Sequence, residues 1–467
     1  MTITFHGAAR TVTGSKHLLE LKDGTQVLLD CGMFQGMGEH TEDMNEHFGF
    51  NPQKVDYLIL SHAHIDHCGL IPRLVAEGFK GQIFCTPPTF DLVEILLLDS
   101  AHIQMLDTAY SNKHRRKNNL PLLSTLYTEQ QVTESLKLFK TVDYHQEYVI
   151  NPSVKFHFTD AGHLVGSAAV HLSVLEDGKY THITFSGDVG RYGDILLKSP
   201  QKFPQADYIL LESTYGDSLH KEAGPIEDTL LEIIRQTCLV DKGKVIIPAF
   251  SVGRTQELLY ALNSLELKGV LPSVNYYVDS PLSEKATKVL MNHPEVYNKN
   301  VSDVLKLDEN PFGFKGLRFI ESTEESKALN DHSEPCVIIS TSGMAEAGRV
   351  KHHIKNNIAN ENCTILIVGY CEPNSLGGRL LRGDEQVFIY GEKFDVKARV
   401  QSIRSMSAHG DYDDLLHFIS AQDTQKIKNI FLVHGEYKVQ QNFREKILAK
   451  GFASVEIPFR HQKIELG

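Results

Sequence analysis

The chain has 467 residues, 41% apolar and 23% charged, with a net charge of −12 at pH 7. This is the composition of a folded chain of two or three domains, not of a disordered one. Its longest apolar runs, such as ILLL (95–98), are far too short to span a bilayer, the N-terminus has no signal-peptide pattern, and the acid excess argues against a protein that coats nucleic acid with a basic surface.

In chain order, TQVLLD (25–30) and VDYLILS (55–61) read as strands, and TFDLVEILLLDSAHIQML (89–106) and TEQQVTESLKLFK (128–140) as helices. VKFHFTD (154–160), THITFSGD (181–188) and ADYILLES (206–213) are further strands closing on polar or glycine-containing turns. Near residue 217 the pattern changes. KVIIPAF (244–250), VNYYVD (274–279), CVIISTS (336–342) and TILIVGY (364–370) alternate with helical segments, as in a parallel, doubly wound α/β domain. After about residue 390 the first style returns, with KNIFLVHGE (428–436) a strand ending in His and Glu. One domain is therefore expected from both ends of the chain, with a second inserted into it.

Seven cysteines with no CxxC pair argue against a disulfide framework or a thiolate zinc site, and suggest a reducing, cytoplasmic compartment. The 23 histidines are the unusual feature. The densest cluster is SHAHIDH (61–67), directly after an apolar strand. On an extended or turning backbone His62 and His64 share one side, while Asp66 and His67 reach another point, which suits two metal ions. Nitrogen and carboxylate donors without thiolate fit Zn²⁺, or Mn²⁺. His163, in a glycine-flanked turn, and Asp188, ending a strand, are the candidates to complete the set. A carboxylate can bridge two cations about 3.5–4 Å apart.

These residues resemble the metallo-β-lactamase superfamily, whose signature is HxHxDH followed by a distant His and a bridging Asp. More closely they resemble its β-CASP branch, nucleases that include ribonuclease J and the pre-mRNA 3′-end endonuclease. The likeness runs from ITFHGAARTVTGS to LVHGE and includes Glu212 in LESTYGD, His409 in SAHGD and His434 in LVHGE. It implies an α/β fold: an αββα sandwich from residues 1–216 and 386–467, with a doubly wound parallel domain at 217–385. It also implies one metal on His62, His64 and His163 and a second on Asp66, His67 and His434, bridged by Asp188. Asp30 would hold a ligand histidine in place.

The implied activity is that of a two-zinc ribonuclease, endonucleolytic or 5′–3′ exonucleolytic, leaving 5′-phosphate and 3′-hydroxyl ends. His409 would be the general acid and Glu212 its orienting carboxylate. His434 at the last motif goes with RNA-acting members, so single-stranded RNA is the expected partner; a homodimer is admitted and no membrane is involved. Arg254, Arg349 and Arg379 are expected to make a locally positive channel, and Ser342 with Gly343 to contact phosphates, although packing or capping explains these residues equally well. KHRRK (113–117) reads as a solvated patch or an RNA contact, and His352 and His353 stay outside catalysis. Two other readings compete: a hydrolase of DNA or a small ester or thioester, and a non-catalytic RNA-processing scaffold. The inserted domain and the Glu212/His409 pair argue against a small-ester or thioester hydrolase, His434 against DNA, and the complete ligand set against a scaffold.

Overall fold

Alternation in Val154–Asp160 turns Val154, Phe156 and Phe158 to one face, and the antiparallel strands Ala168–Glu176 and Lys179–Phe185 extend that face with Val170, Leu172, Val174, Ile183 and Phe185. Opposite them stand Ile3, Phe5, Leu19, Val27, Leu29, Ile59 and Phe84 from a second sheet, so the core lies between two sheets of seven strands. Burying each phenylalanine here contributes roughly 1.5–3 kcal/mol. Ile209, Leu211, Ile430 and Leu432 face the other way, onto helices Tyr412–Phe418 and Tyr437–Ala449. Helices Ile71–Ala76, Pro87–Lys117 and Glu129–Leu136 follow strands of the second sheet. This is an αββα sandwich.

The structure, a computed structural model, describes residues 1–220, 225–369, 371–403 and 406–467. The chain divides into one unit of Met1–Leu219 with His409–Gly467 and another of His220–Ala408. In the first, the two ends of the chain meet: Thr2–Gly7 pairs antiparallel with Gln462–Glu465.

The second unit is built on six parallel strands in the order Leu317–Phe319, Asn275–Asp279, Cys336–Ser340, Val245–Pro248, Thr364–Val368 and Arg399–Ile403. Its central runs VIIP, CVIIS and TILIV are wholly buried, as strands covered on both faces must be. This is the doubly wound domain expected from the sequence.

Two boundaries differ from expectation. The return to the first unit comes at His409 rather than 386, because Arg399–Ile403 completes the parallel sheet beside Thr364–Val368. The helix expected over 89–106 runs from Pro87 to Lys117, opened by Thr86, whose hydroxyl accepts from the Thr89 N–H, and it takes the KHRRK run as its last turns. Tyr370, the last residue of the TILIVGY run, lies outside the described residues. Among the described residues no helix is long and apolar enough to cross a membrane.

Candidate metal centre

Every residue that the sequence marks as a ligand lies at the end of a strand or in the turn after one, and all fall in the first unit. SHAHIDH follows the strand Tyr57–Ile59, with Ile65–Cys68 forming one helical turn. His163 sits in the turn after Val154–Asp160, Asp188 follows Lys179–Phe185, and His434 follows Asn429–Val433. Strand ends suit such a site because a sheet holds them rigidly while their side chains project beyond its edge. The backbone makes room as well. A Cβ on Gly32 would lie 1.6 Å from the Asp66 carbonyl oxygen, so only glycine lets these segments touch. Asp30 and His434 themselves adopt positive φ, 58° and 50°, a conformation that non-glycine residues rarely hold outside constrained sites.

The donor atoms converge in two groups. His62 Nε2 is 3.1 Å from His64 Nδ1, and His163 Nε2 is 3.2 Å from the same atom. Asp188 Oδ2 lies 3.5 Å from His62 Nε2 and 3.6 Å from His163 Nε2. In the second group His434 Nε2 is 3.3 Å from both His67 Nε2 and Asp66 Oδ2, and Asp188 Oδ1 is 3.3 Å from His67 Nε2. Asp188 thus offers one oxygen to each group. Donor atoms of His62, His64, His163 and Asp188 lie within 4.8 Å of one another, as do those of Asp66, His67 and His434, and those of Asp188, His409 and His434.

Imidazole nitrogens gathered 3.1–3.3 Å from one another can act together as ligands of a cation. The carboxylate points the same way: Asp188 is 2% exposed, yet its Oδ1 accepts no hydrogen bond among the described residues. A buried, unsatisfied carboxylate oxygen is costly unless positive charge meets it. Burial opposes the charged form of Asp188, but His434, His67 and His409 outweigh it and hold this carboxyl well below its usual range. Burial likewise opposes charge on His67, and Asp188 and Asp30 drive it well above its ordinary value. Burial keeps His62 and His64 low and neutral, the form that ligates, His64 at about 4. The residues present fit divalent cations with nitrogen and oxygen ligands.

A surrounding layer fixes these rings. His67 Nδ1 donates to Asp30 Oδ2 at 2.6 Å, which turns its Nε2 toward the donor centre. Asp30 in turn accepts from the Ser61 backbone N–H at 2.8 Å and from the Ser61 and Ser15 hydroxyls at 2.9 and 3.1 Å. The Thr214 hydroxyl lies 3.1 Å from His434 Nδ1. Sequence reading picked out Asp30 but missed Ser15, Ser61 and Thr214. Ser61 and Thr214 lie inside motifs already marked, SHAHIDH and LESTYGD, so their position was the available signal.

His409 stands at the rim with Nδ1 3.1 Å from Glu212 Oε1 and 3.9 Å from Asp188 Oδ2. Glu212 is fully buried and accepts from the Val189 and Thr214 backbone N–H groups at 2.8 and 3.1 Å, which locks its orientation. Burial works against a charged His409, but Glu212 and then Asp188 prevail and raise it to about 9.

The residues expected to bind substrate all fall in the second unit, where the three arginines have carboxylate neighbours. Arg254 is buried and paired with Glu257. Arg349 is paired with Asp279 at 2.7 Å and donates to the Ile320 and Glu321 carbonyls. Arg379 lies 4.0 Å from Glu346. Two of these carboxylates are shared, Asp279 with His353 and Glu346 with Lys351. The Ser342 hydroxyl donates to the Ala347 carbonyl at 3.4 Å, and a Cβ on Gly343 would meet the Phe250 ring at 2.7 Å, so both have packing roles. His353, set aside from catalysis, is buried against Asp279 at 2.6 Å.

The sandwich and its donor set define a metal-dependent hydrolase. Family models match in three places: the metallo-β-lactamase superfamily over residues 14–90, the β-CASP domain over 255–380, and the Zn-dependent metallo-hydrolase RNA specificity domain over 393–458. A ribonuclease of Thermus thermophilus is 35% identical over 453 residues, 97% of this chain and 95% of that protein. An RNase J-like protein of Methanocaldococcus jannaschii is 32% identical over 437 residues, 93% of this chain and 92% of the relative. The transcription termination factor FttA of Methanosarcina mazei is 29% identical over 460 residues, 96% of this chain and 69% of that protein. The chain belongs to the β-CASP nuclease family of the metallo-β-lactamase superfamily, an RNA-processing family.

Proposed function

We propose that this chain is a ribonuclease that hydrolyses phosphodiester bonds in single-stranded RNA, leaving 5′-phosphate and 3′-hydroxyl ends. The observation that carries the reading is Asp188, with one oxygen in each donor group, beside the proton-bearing His409–Glu212 pair. The RNA specificity match and the ribonuclease among the relatives support RNA as the substrate.

His62, His64, His163 and Asp188 would hold one cation and Asp66, His67, His434 and Asp188 a second, zinc being the first choice and manganese the alternative. Bound there, two such cations supply Lewis-acid charge and make water a usable nucleophile at neutral pH. The protein's own groups do the rest. Asp30 and Thr214 hold the His67 and His434 rings in register. As water adds to phosphorus and the bond to the 3′-oxygen breaks, that oxygen takes its proton from His409. With Nδ1 turned to Glu212, the acid hydrogen is carried on Nε2. Glu212 keeps the imidazolium oriented and charged until transfer.

The test is incubation of zinc-loaded protein with 5′-labelled and internally labelled single-stranded RNA beside matched DNA. RNA fragments ending in 3′-hydroxyl groups are expected, and their sizes separate internal cutting from 5′-end trimming. RNA left intact by fully loaded protein rejects the reading, and equal cutting of DNA rejects its RNA preference.

A further inference from the structure

Beside the metal centre is a surface that the chemistry above does not use. The loop between strands Thr2–Gly7 and Lys16–Glu20 is tied to the last metal motif: the His434 N–H donates to the Ala8 carbonyl at 2.7 Å, and the Gly435 N–H to the Thr11 carbonyl at 3.1 Å. Between these anchors Arg10 projects outward. Its guanidinium carbon lies 4.4 Å from the centre of the Tyr437 ring and 5.7 Å from that of Phe459, and its Nη2 donates to the Ile457 carbonyl at 3.1 Å. Tyr437 opens the helix that starts three residues after His434, and the Phe459 N–H is fixed by the Gln462 side chain at 3.0 Å.

Both rings stay in solvent, Tyr437 43% and Phe459 52% exposed. Four large aromatic side chains of the first unit are exposed among the described residues, Tyr110, Tyr180, Tyr437 and Phe459, and two of them flank this one arginine. Exposed rings interleaved with a guanidinium form a surface on which unpaired bases stack, because every base has a π-face and the cation favours the adjoining phosphate. In a chain of net charge −12, such a platform supplies local attraction that the molecule as a whole does not.

We propose that Arg10, Tyr437 and Phe459 form a nucleobase-stacking subsite that holds an unpaired base of the RNA next to the scissile phosphodiester. The subsite rests on the ribonuclease reading. It accounts for affinity and placement, and the three residues take no part in proton transfer. Stacking of a base on an aromatic side chain corresponds to about a 5- to 100-fold effect on binding.

The experiment compares zinc-loaded wild type, Phe459→Ala, Tyr437→Ala and Phe459→Trp on three substrates: an RNA oligonucleotide, the same oligonucleotide with abasic positions beside the cut, and bis(p-nitrophenyl) phosphate, which has no base. The two alanine variants should raise KM for RNA about 5- to 100-fold with kcat nearly unchanged, Phe459→Trp should restore it, and the base-free ester should be cleaved as by wild type. The abasic oligonucleotide should bind wild type as weakly as the intact one binds the variants. Because the chain has no tryptophan, 2-aminopurine in the RNA gives a second readout in EDTA: its fluorescence should be quenched by wild type and not by Tyr437→Ala. Unchanged KM for RNA, or equal losses on RNA and the ester, overturns the subsite alone. Wild type that cleaves the ester but not RNA overturns the ribonuclease reading and the subsite with it.

Discussion

Asp188 and Asp279 invite comparison. Both are buried aspartates at the C-terminal side of a strand, both have histidine beside them, and they belong to different units of the chain. Asp279 is fully provided for: Oδ2 accepts from Ser326 and His353, each at 2.6 Å, and Oδ1 accepts from Arg349 at 2.7 Å. Burial opposes its charge, and those three partners outweigh it and keep the carboxyl low. Asp188 Oδ1 accepts no hydrogen bond among the described residues and lies among imidazole nitrogens. A buried aspartate near histidine is therefore not in itself a metal site. The difference lies in the partners: Asp279 has three hydrogen-bond donors, whereas Asp188 Oδ1 faces a ring of potential ligand nitrogens with which it can share a cation.

The comparison can be broken most severely at Asp188. Asp188→Asn should abolish both metal retention and RNA cleavage, and elemental analysis showing two metals per chain in this variant would refute the bridging assignment. His409→Ala should cost about 10²–10⁴-fold in kcat with metal content unchanged, and metal loss would show that this ring is a ligand. Asp30→Asn should weaken metal affinity about 10- to 100-fold, read by competition with a chelating dye, since His67 loses its anchor. Glu212→Gln sharpens the account through pH. His409 holds its proton below its pKa, and Glu212 raises that pKa, so the variant's alkaline limb of kcat should move to lower pH than wild type. At the other aspartate, His353→Ala should lower the free energy of unfolding by about 3 kcal/mol, read by denaturant titration, and leave metal content untouched.

What could be read from the sequence follows from how locally each feature is encoded. SHAHIDH is contiguous, and its strand shows as an apolar run, so the first donors are visible without a fold. His434 lies 367 residues beyond His67, and only the family resemblance joined them. Ser15 and Thr214 escaped notice because short hydroxyl residues near a turn have many roles, and only contact distances choose among them. The end of the inserted unit is harder to read because Arg399–Ile403 is an edge strand with a single fully buried side chain, and it lacks the apolar run that marks its neighbours. The partners of the arginines are encoded at very different distances. Glu257 lay three residues from Arg254 and could have been noticed, whereas Asp279 is 70 residues from Arg349 and becomes its partner only when the parallel sheet forms.

The pairing of the two chain ends sets a timetable for synthesis. His62 to His67 are made early, while His409 and His434 emerge only after the inserted unit has been translated. At about 5–20 residues per second, the 367 residues from His67 to His434 take roughly 20–70 s. Throughout that interval a ribosome-bound chain lacks His409 and His434, so on the proposed reading it has neither the acid nor the full ligand set. On that reading the centre is completed only when the last strands of the first unit are made.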